Sequence, residues 1–221
     1  MSKSIQILST KKLSAEQKQA LLEANFEVID ADFIQTKNKS FEIKDLNDNL
    51  IFTSQNAVHS VLSQPNWEAL KTKNVFCVGL KTKILLSENG FNVVAYTGYA
   101  SDLAEIITLI YRNESYTFFS GNLRRETLPK ALKDADVKLN EIQVYETSLT
   151  PQKIKTAADA ILFFSPSGVE SYLKDNSIKK EKCFCIGETT AQALDKITKN
   201  IIIADQPTVE DVIEDVIEEY K

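Results

Sequence analysis

Short apolar runs alternate along the chain with segments whose apolar residues recur every three to four positions. The runs are typical of buried strands, and the longer period is typical of amphipathic helices. The predicted strands are Ile5–Leu8, Glu27–Asp30, Leu50–Thr53, Val75–Val78, Asn92–Ala95, Thr117–Phe119, Lys138–Tyr145, Ala160–Phe164, Cys183–Ile186 and Ile201–Ile203. The predicted helices are Ala15–Ala24, Asn56–Leu62, Lys81–Ser87, Asp102–Tyr111, Arg125–Lys133, Gly168–Lys174, Thr190–Ile197 and Val209–Glu219. This alternation predicts an α/β fold with parallel sheets covered by helices on both faces.

The second half of the chain resembles the first. Residues 52–62 match residues 163–173 in Phe, Ser, Val, Ser and Leu at an offset of 111, which also relates Ser9 to Ser120. Further on, residues 76–79 match residues 184–187 at an offset of 108. Ordered matches at an offset of about half the length predict a tandem repeat.

Each repeat holds about five predicted strands, enough for one small doubly wound, flavodoxin-like domain. A polar segment follows the second strand of each repeat, near residues 35–49 and 146–158. Two layouts fit these segments. The domains are either simple halves, or they interleave, with 36–147 as one domain and 1–35 with 148–221 as the other.

The composition excludes several kinds of site. His59 is the single histidine, so no zinc site can use two histidines, and a Ser-His-Asp triad would have to use His59. The six glycines cannot form a dinucleotide or P-loop motif. A net charge of −5 argues against a general nucleic-acid binder.

The three cysteines and the termini suggest a compartment. Cys77, Cys183 and Cys185 are an odd number without a C-x-x-C motif, which favours reduced, buried thiols. The chain begins without a signal-peptide pattern, and no apolar run approaches the roughly 20 residues that a spanning helix needs. We expect a soluble, cytoplasmic protein that acts as a monomer.

Small, hydroxylic and glycine residues gather where the predicted strands end. In open α/β sheets, ligands bind beyond the carboxyl ends of the strands, and helix N-termini there favour anions. Such residues are also good caps and turn formers, so a single turn proves little. Repetition in both halves favours a cleft for a polyanionic ligand. The candidate ligand-binding residues are Thr53, Ser54, Asn56, Gly79, Ser120, Gly121, Asn122, Ser165, Ser167, Gly168, Thr189 and Thr190.

Two larger side chains lie near these turns. Arg124 is predicted at a helix start, where a cation is unfavourable unless it meets an anion; the alternative is a solvated basic residue. Tyr145 ends a long predicted strand beside the second polar segment. It is either a proton donor facing a cleft or an amphipathic aromatic at a domain boundary.

The same turns carry a resemblance to the uroporphyrinogen-III synthase family. The similar segments follow the family's order over most of the chain: residues 50–58, 119–128, the V-Y-x-T-like segment Val144–Thr147, 163–169, 186–191 and 207–208. Glu188 departs from the family pattern, which often has proline between the glycine and the threonine.

The resemblance implies two interleaved domains joined by two crossover strands, with no cofactor and no metal. It implies a lyase that closes hydroxymethylbilane to uroporphyrinogen III, with inversion of ring D and loss of water, in haem biosynthesis. By motif alignment, Tyr145 is the implied catalytic acid, and Thr82 and Thr190 are implied substrate contacts. We expect no nucleic-acid or membrane partner.

Two other classes of function fit parts of the pattern. A non-catalytic cleft protein that binds a small polyanionic ligand would use the same turns, and only Tyr145 and the ordered family motifs speak against it. A flavodoxin-like electron carrier fits less well, because the turns lack a clear phosphate loop for a flavin.

Overall fold

The chain forms parallel sheets flanked by helices, in a computed structural model that describes residues 4–221. The strands are β1 (Gln6–Ser9), β2 (Glu27–Asp30), β3 (Ile34–Asn38), β4 (Asn49–Phe52), β5 (Asn74–Val78), β6 (Asn92–Thr97), β7 (Ser115–Gly121), β8 (Lys138–Leu149), β9 (Ala160–Phe163), β10 (Lys182–Cys185) and β11 (Ile201–Ile203). The helices are α1 (Ala15–Glu23), α2 (Gln55–Leu62), α3 (Leu80–Glu88), α4 (Ala100–Ile110), α5 (Thr127–Asp134), α6 (Pro166–Asp175), α7 (Glu188–Ala191) and α8 (Val209–Tyr220), with short 3-10 helices at Trp67–Thr72 and Gln192–Leu194. The predicted α/β class with parallel sheets is confirmed.

The chain divides into two compact units. One contains the described residues up to Gln35 together with Ser148–Lys221, and the other contains Thr36–Thr147. The first unit holds a parallel sheet in the order β11-β10-β9-β1-β2. Counted along the chain, this is the 2-1-3-4-5 order of flavodoxin-like sheets.

The second sheet has the order β3-β8-β7-β4-β5-β6, in which β8 to β6 are parallel. β3 pairs with β8 in the opposite sense, because the Lys39 N–H donates to the Val144 carbonyl and the Thr150 N–H donates to the Phe33 carbonyl. β3 and β8 are also the two strands along which the chain passes from one unit to the other. β3 forms within the start of a segment predicted to be only a polar linker.

Each sheet is covered on both faces, which explains why its central strands are mostly apolar. All four residues of β4 and all four of β9 are buried. In the second unit, α2 and α3 pack on one face through Val58, Val61 and Leu86, and α4 packs on the other through Leu103 and Ile107. Phe52 and Phe119, on neighbouring strands, stack with centroids 5.1 Å apart.

Most predicted helices differ from the structure by one or two residues at an end, and for two of them the difference has a clear physical reason. The helix predicted at Arg125–Lys133 begins at Thr127, which places Pro129 in its first turn. Proline is tolerated there because its missing N–H has no intrahelical acceptor, whereas a start at Arg125 would put it in the interior. The helix predicted at Thr190–Ile197 is instead the single turn α7 followed by a 3-10 turn. Its buried apolar residues, Ala191 and Leu194, are three apart, which matches the 3-10 period.

Candidate functional site

In the second unit, three neighbouring strands bring predicted site residues to one edge of the sheet. β7, β4 and β5 lie side by side, and their carboxyl ends lead into Ser120–Asn122, Thr53–Asn56 and Gly79–Thr82. The chain continues from β4 to β5 on one side and returns to β7 on the other. The turns after β4 and β7 therefore diverge and flank a switch point, which is where open α/β sheets bind ligands.

The turn after β4 is built as a helix cap. Ser54 has extended backbone, and its hydroxyl accepts the Asn56 N–H at 3.1 Å at the start of α2. Thr53 and Ser54 are half-buried and Asn56 is exposed. The cap takes up the Asn56 N–H, and the positive end of the dipole of this eight-residue helix lies at this edge, where it favours an anion.

The turn after β5 depends on a glycine. Gly79 has a φ of +90° and caps α3, a conformation that strains any residue with a Cβ. Its N–H donates to the Thr97 carbonyl at 2.8 Å. Thr82, one turn into the helix, is 4% exposed, which leaves little of it available to a ligand.

Arg124 is held by two carboxylates. Its guanidinium donates through Nε and Nη2 to Glu141, the latter bond being 2.9 Å, and through Nη1 to Glu126. These bonds raise the pKa of Arg124. Burial opposes ionisation of Glu141, but hydrogen bonds from Arg124 and Ser120 keep its pKa below the usual value. Arg124 lies in the turn before α5, so its predicted place at a helix start is wrong.

Tyr145 lies on β8, which continues past the predicted strand end to Leu149. It is half-buried and packs against the core beneath α2. A Cβ built on Gly121 would lie 2.8 Å from its hydroxyl oxygen and closer still to Cε2 and Cζ. The ring therefore rests on the Gly121 backbone, and this contact brings together two predicted site residues.

Asn122 is engaged by β8. Its Oδ1 accepts the Thr147 N–H at 2.7 Å, and its Nδ2 donates to the Thr147 carbonyl at 3.1 Å. The amide thus continues the pairing of β7 with β8 beyond the last backbone pair. Ser120 is 3% exposed, and its hydroxyl donates to Glu141 at 2.7 Å.

The first unit gathers a second group of predicted residues at the carboxyl ends of β9 and β10. The Ser165 hydroxyl accepts the Gly168 N–H at 3.0 Å at the start of α6, and it lies 3.0 Å from the Ser167 hydroxyl. After β10, Thr189 is half-buried, whereas Thr190 is 2% exposed. The predicted residues therefore form one group in each unit.

The carboxyl end of β1 also belongs to the edge in the first unit and was not predicted as part of a site. β1 adjoins β9, and the Thr10 hydroxyl donates to the Leu162 carbonyl at 2.7 Å. Lys11, exposed, follows it with its Nζ 5.8 Å from the centre of the Phe164 ring. The predicted repeat contains a signal for this turn, because the offset that relates Ser9 to Ser120 also relates Thr10 to the candidate residue Gly121.

The histidine and the cysteines singled out in the sequence lie on the surface or in the core. His59 is exposed on α2. The three cysteines are free and buried, as predicted, and burial raises the pKa of each thiol. Within residues 4–221, no group of three or more His, Cys, Asp or Glu side chains could hold a metal ion. No helix in that range is long and apolar enough to cross a membrane.

Comparisons with known proteins agree with one another. The sequence model of the family described as "Uroporphyrinogen-III synthase HemD" matches residues 15–214. Uroporphyrinogen-III synthase of Saccharomyces cerevisiae is 27% identical, over 69% of this chain and 70% of the yeast protein. The crystal structure of uroporphyrinogen-III synthetase from Helicobacter pylori is 19% identical with a TM-score of 0.74, over 97% of this chain and 99% of that one. A mutant uroporphyrinogen III synthase from the extremely thermophilic bacterium Thermus thermophilus is 14% identical with a TM-score of 0.71, over 99% of this chain and 100% of that one. At these identities the structural likeness establishes the fold.

Proposed function

The chain belongs to the uroporphyrinogen-III synthase family, and we propose from this that it closes hydroxymethylbilane to uroporphyrinogen III. The observation that carries the proposal is the family match over residues 15–214, nearly the whole chain. The enzyme is a cyclising lyase of haem biosynthesis. Its substrate is a linear tetrapyrrole.

The reaction removes the hydroxyl of ring A as water and leaves an azafulvene cation. The substituted carbon of ring D attacks this cation to give a spiro intermediate, which reopens and closes with ring D inverted. Because the free substrate closes unaided to the wrong isomer, the enzyme's main task is to hold one geometry. This task suits a site with few catalytic groups.

The turns at the carboxyl ends of the strands supply the groups that bind the substrate. The substrate carries eight carboxylates, and helix N-termini and hydroxyls bind such anions. Support comes from the turns after β4 and β9, each of which opens a helix N-terminus beside a switch point. Thr53, Ser54, Ser165, Ser167 and Lys11 then contact carboxylates, and Arg124 does so with the guanidinium N–H groups that its carboxylate partners leave unused.

Tyr145 is the acid of this site. Its hydroxyl transfers a proton to the departing hydroxyl of ring A, which leaves as water, and the phenolate regains a proton when the macrocycle closes and ring D loses the hydrogen of its attacking carbon. The place of Tyr145 beside Gly121, at the edge that also holds the turns after β4 and β7, supports this role. Tyr116, by contrast, is wholly buried and donates to the Tyr111 carbonyl.

The two domains arose from a tandem repeat whose halves exchanged strands. The five-stranded sheet joins β1 and β2 of the first repeat to β9–β11 of the second, and the other sheet joins β7 and β8 to β4–β6. If β7 and β8 are counted before β4, the second unit also has the order 2-1-3-4-5. The same spatial order from complementary pieces supports two flavodoxin-like domains, 1–35 with 148–221 and 36–147, linked through β3 and β8.

The enzyme acts as a monomer in the cytoplasm. The expected mass in solution is that of one chain, 24.8 kDa, and light scattering coupled to gel filtration measures it. A mass of twice this value would contradict the monomer.

The first test of the function is an isomer analysis. Hydroxymethylbilane is generated in situ with and without the protein, the products are oxidised, and uroporphyrins I and III are separated by chromatography. A switch from isomer I to isomer III is expected. If isomer I alone forms, the synthase proposal fails, and an anion-binding scaffold without this activity remains.

A further inference from the structure

β8 contains an irregularity beside Tyr145. Ser120 of β7 pairs with Gln143, but the next residue, Gly121, pairs with Tyr145, so Val144 is an extra residue in β8. Regular strands turn successive side chains to opposite faces. Ile142, Val144 and Tyr145 nevertheless pack against the same core cluster. The bulge therefore turns Tyr145 to the face on which α2 packs, as bulges beside active sites often do.

A buried serine holds the bulged residue. Ser60 on α2 is wholly buried, and its hydroxyl donates to the Val144 carbonyl. The same carbonyl accepts the Lys39 N–H at 2.8 Å from the segment after β3. A bulged residue loses its regular place in the ladder, so these two bonds satisfy the displaced carbonyl.

Gly121 at the end of β7 contacts the Tyr145 ring. The φ of Gly121 lies outside the left-handed region, so its backbone does not require glycine. What requires glycine is the Tyr145 ring, which occupies the space of a Cβ. Two residues beyond Tyr145, Thr147 is fixed by donating its N–H to Asn122 and accepting the Asn122 amide N–H at its carbonyl. The strand is thus held immediately before and after the tyrosine.

We infer that Ser60 and Gly121 are positioning residues for the reaction: they hold the bulge that aims the Tyr145 hydroxyl. This inference rests on the proposed function and on the role of Tyr145 in it. Neither residue needs to touch substrate. Ser60 acts through the Val144 carbonyl, and Gly121 acts by leaving room for the ring.

The chain offers a matched control for each residue. Ser171 corresponds to Ser60 at the repeat offset of 111, and it is equally buried on α6, but its hydroxyl has no hydrogen-bond partner. Gly98 lies in the same unit as Gly121, and a Cβ there would meet nothing within 4 Å. Ser171→Ala and Gly98→Ala therefore repeat the chemical change without touching the bulge.

The experiment measures kcat and KM of these variants in the wild-type and Tyr145→Phe backgrounds. Phenylalanine keeps the ring but lacks the hydroxyl. A variant that damages the fold would therefore still lower kcat in this background, whereas a variant that only misplaces the hydroxyl would not. We expect Ser60→Ala and Gly121→Ala to lower kcat by about tenfold in the wild type, with KM nearly unchanged, because a misplaced group loses rate rather than affinity. In the Tyr145→Phe background they should lower kcat no further. Ser171→Ala and Gly98→Ala should leave kcat and KM unchanged in each background.

Equal losses in both backgrounds would overturn the inference, because they would show damage unrelated to the hydroxyl. Unchanged kcat in the wild-type background would overturn it as well. If Tyr145→Phe itself is as fast as the wild type, the acid role of Tyr145 fails. If the wild type gives only isomer I, the proposed function fails before the variants are compared.

Thermal unfolding tests the ring contact without activity. Gly121→Ala should lower Tm by about 3 °C while the Tyr145 ring is present, and it should lower Tm no further in Tyr145→Ala. An equal drop in both backgrounds would show that Gly121 serves the backbone rather than the ring. Ser60→Ala keeps the kinetic test available if Gly121→Ala does not fold.

Discussion

The pair formed by Arg124 and Glu141 should stabilise the second unit measurably. Two parallel N–H to oxygen bonds join the guanidinium and the carboxylate, and the two side chains are only 24% and 29% exposed. Exposed pairs contribute about 0.2–1 kcal/mol, and charge-assisted bonds about 1.5–3 kcal/mol when well buried. After allowance for solvent screening, we expect a coupling free energy of about 1 kcal/mol at neutral pH.

A double-mutant cycle measures this coupling. Arg124→Gln, Glu141→Gln and the double variant are unfolded with urea at pH 7 and at lower pH. Lys130 and Asp134 supply a control cycle, because this pair on the same unit is 69% and 60% exposed and should couple by only about 0.3 kcal/mol.

The sign of the pH dependence follows from Glu141. Its pKa is lower in the folded state than the value of about 4.3 in the unfolded chain. The stabilisation is therefore complete above the unfolded pKa and is lost as pH falls through the folded pKa. A coupling no larger than that of the control pair, or one that persists in acid, would refute the reasoning.

Four further outcomes are expected. Tyr145→Phe should slow turnover by about ten- to a hundredfold yet still give isomer III; loss of isomer control would mean that Tyr145 positions the substrate instead. Burial raises the pKa values of the three thiols to about 11 or 12, so the native protein should react slowly with Ellman's reagent at pH 8, and unfolding should release all three; fast native reaction would contradict their burial. Burial and neighbouring carboxylates raise the pKa of Asp215, so Asp215→Asn should stabilise the protein at pH 7 and not below pH of about 3.9; a gain in acid would contradict this sign. Ser171→Ala should cost no stability, whereas Ser60→Ala should cost about 1 kcal/mol in urea unfolding, because only Ser60 loses a hydrogen bond; equal losses would contradict the contrast.

The sequence predicted the fold class because burial on both faces leaves a strong apolar signal in each central strand. β4 and β9 are the clearest cases, since every residue of both is buried. β3 carried no such signal. It pairs at one side only, its residues are half-buried or exposed, and its composition resembles that of a polar linker. Edge and crossover strands are therefore the elements that apolar patterning misses.

The turns of the candidate site were predictable because strand ends and helix caps need the same small residues that bind anions. What each side chain does within a turn depended on long-range contacts. Of the two carboxylate partners of Arg124, Glu141 lies 17 positions away on β8, and the partner of Asn122 lies 25 positions away. No local pattern around residues 120–125 could show that these side chains are already engaged.

The two copies of the predicted repeat differ at the position of Tyr145, the proposed catalytic acid. At the offset of 111, Gly121 corresponds to Thr10, and Tyr145 corresponds to Ile34. The serine on the following helix is present in both copies, yet it bonds to a bulged carbonyl only in the second unit and has no partner in the first. The proposed duplication accounts for the shared turns, which are the proposed anion-binding groups of either copy. The proposed proton donor depends on a further feature, the bulge in β8 with Gly121 opposite it.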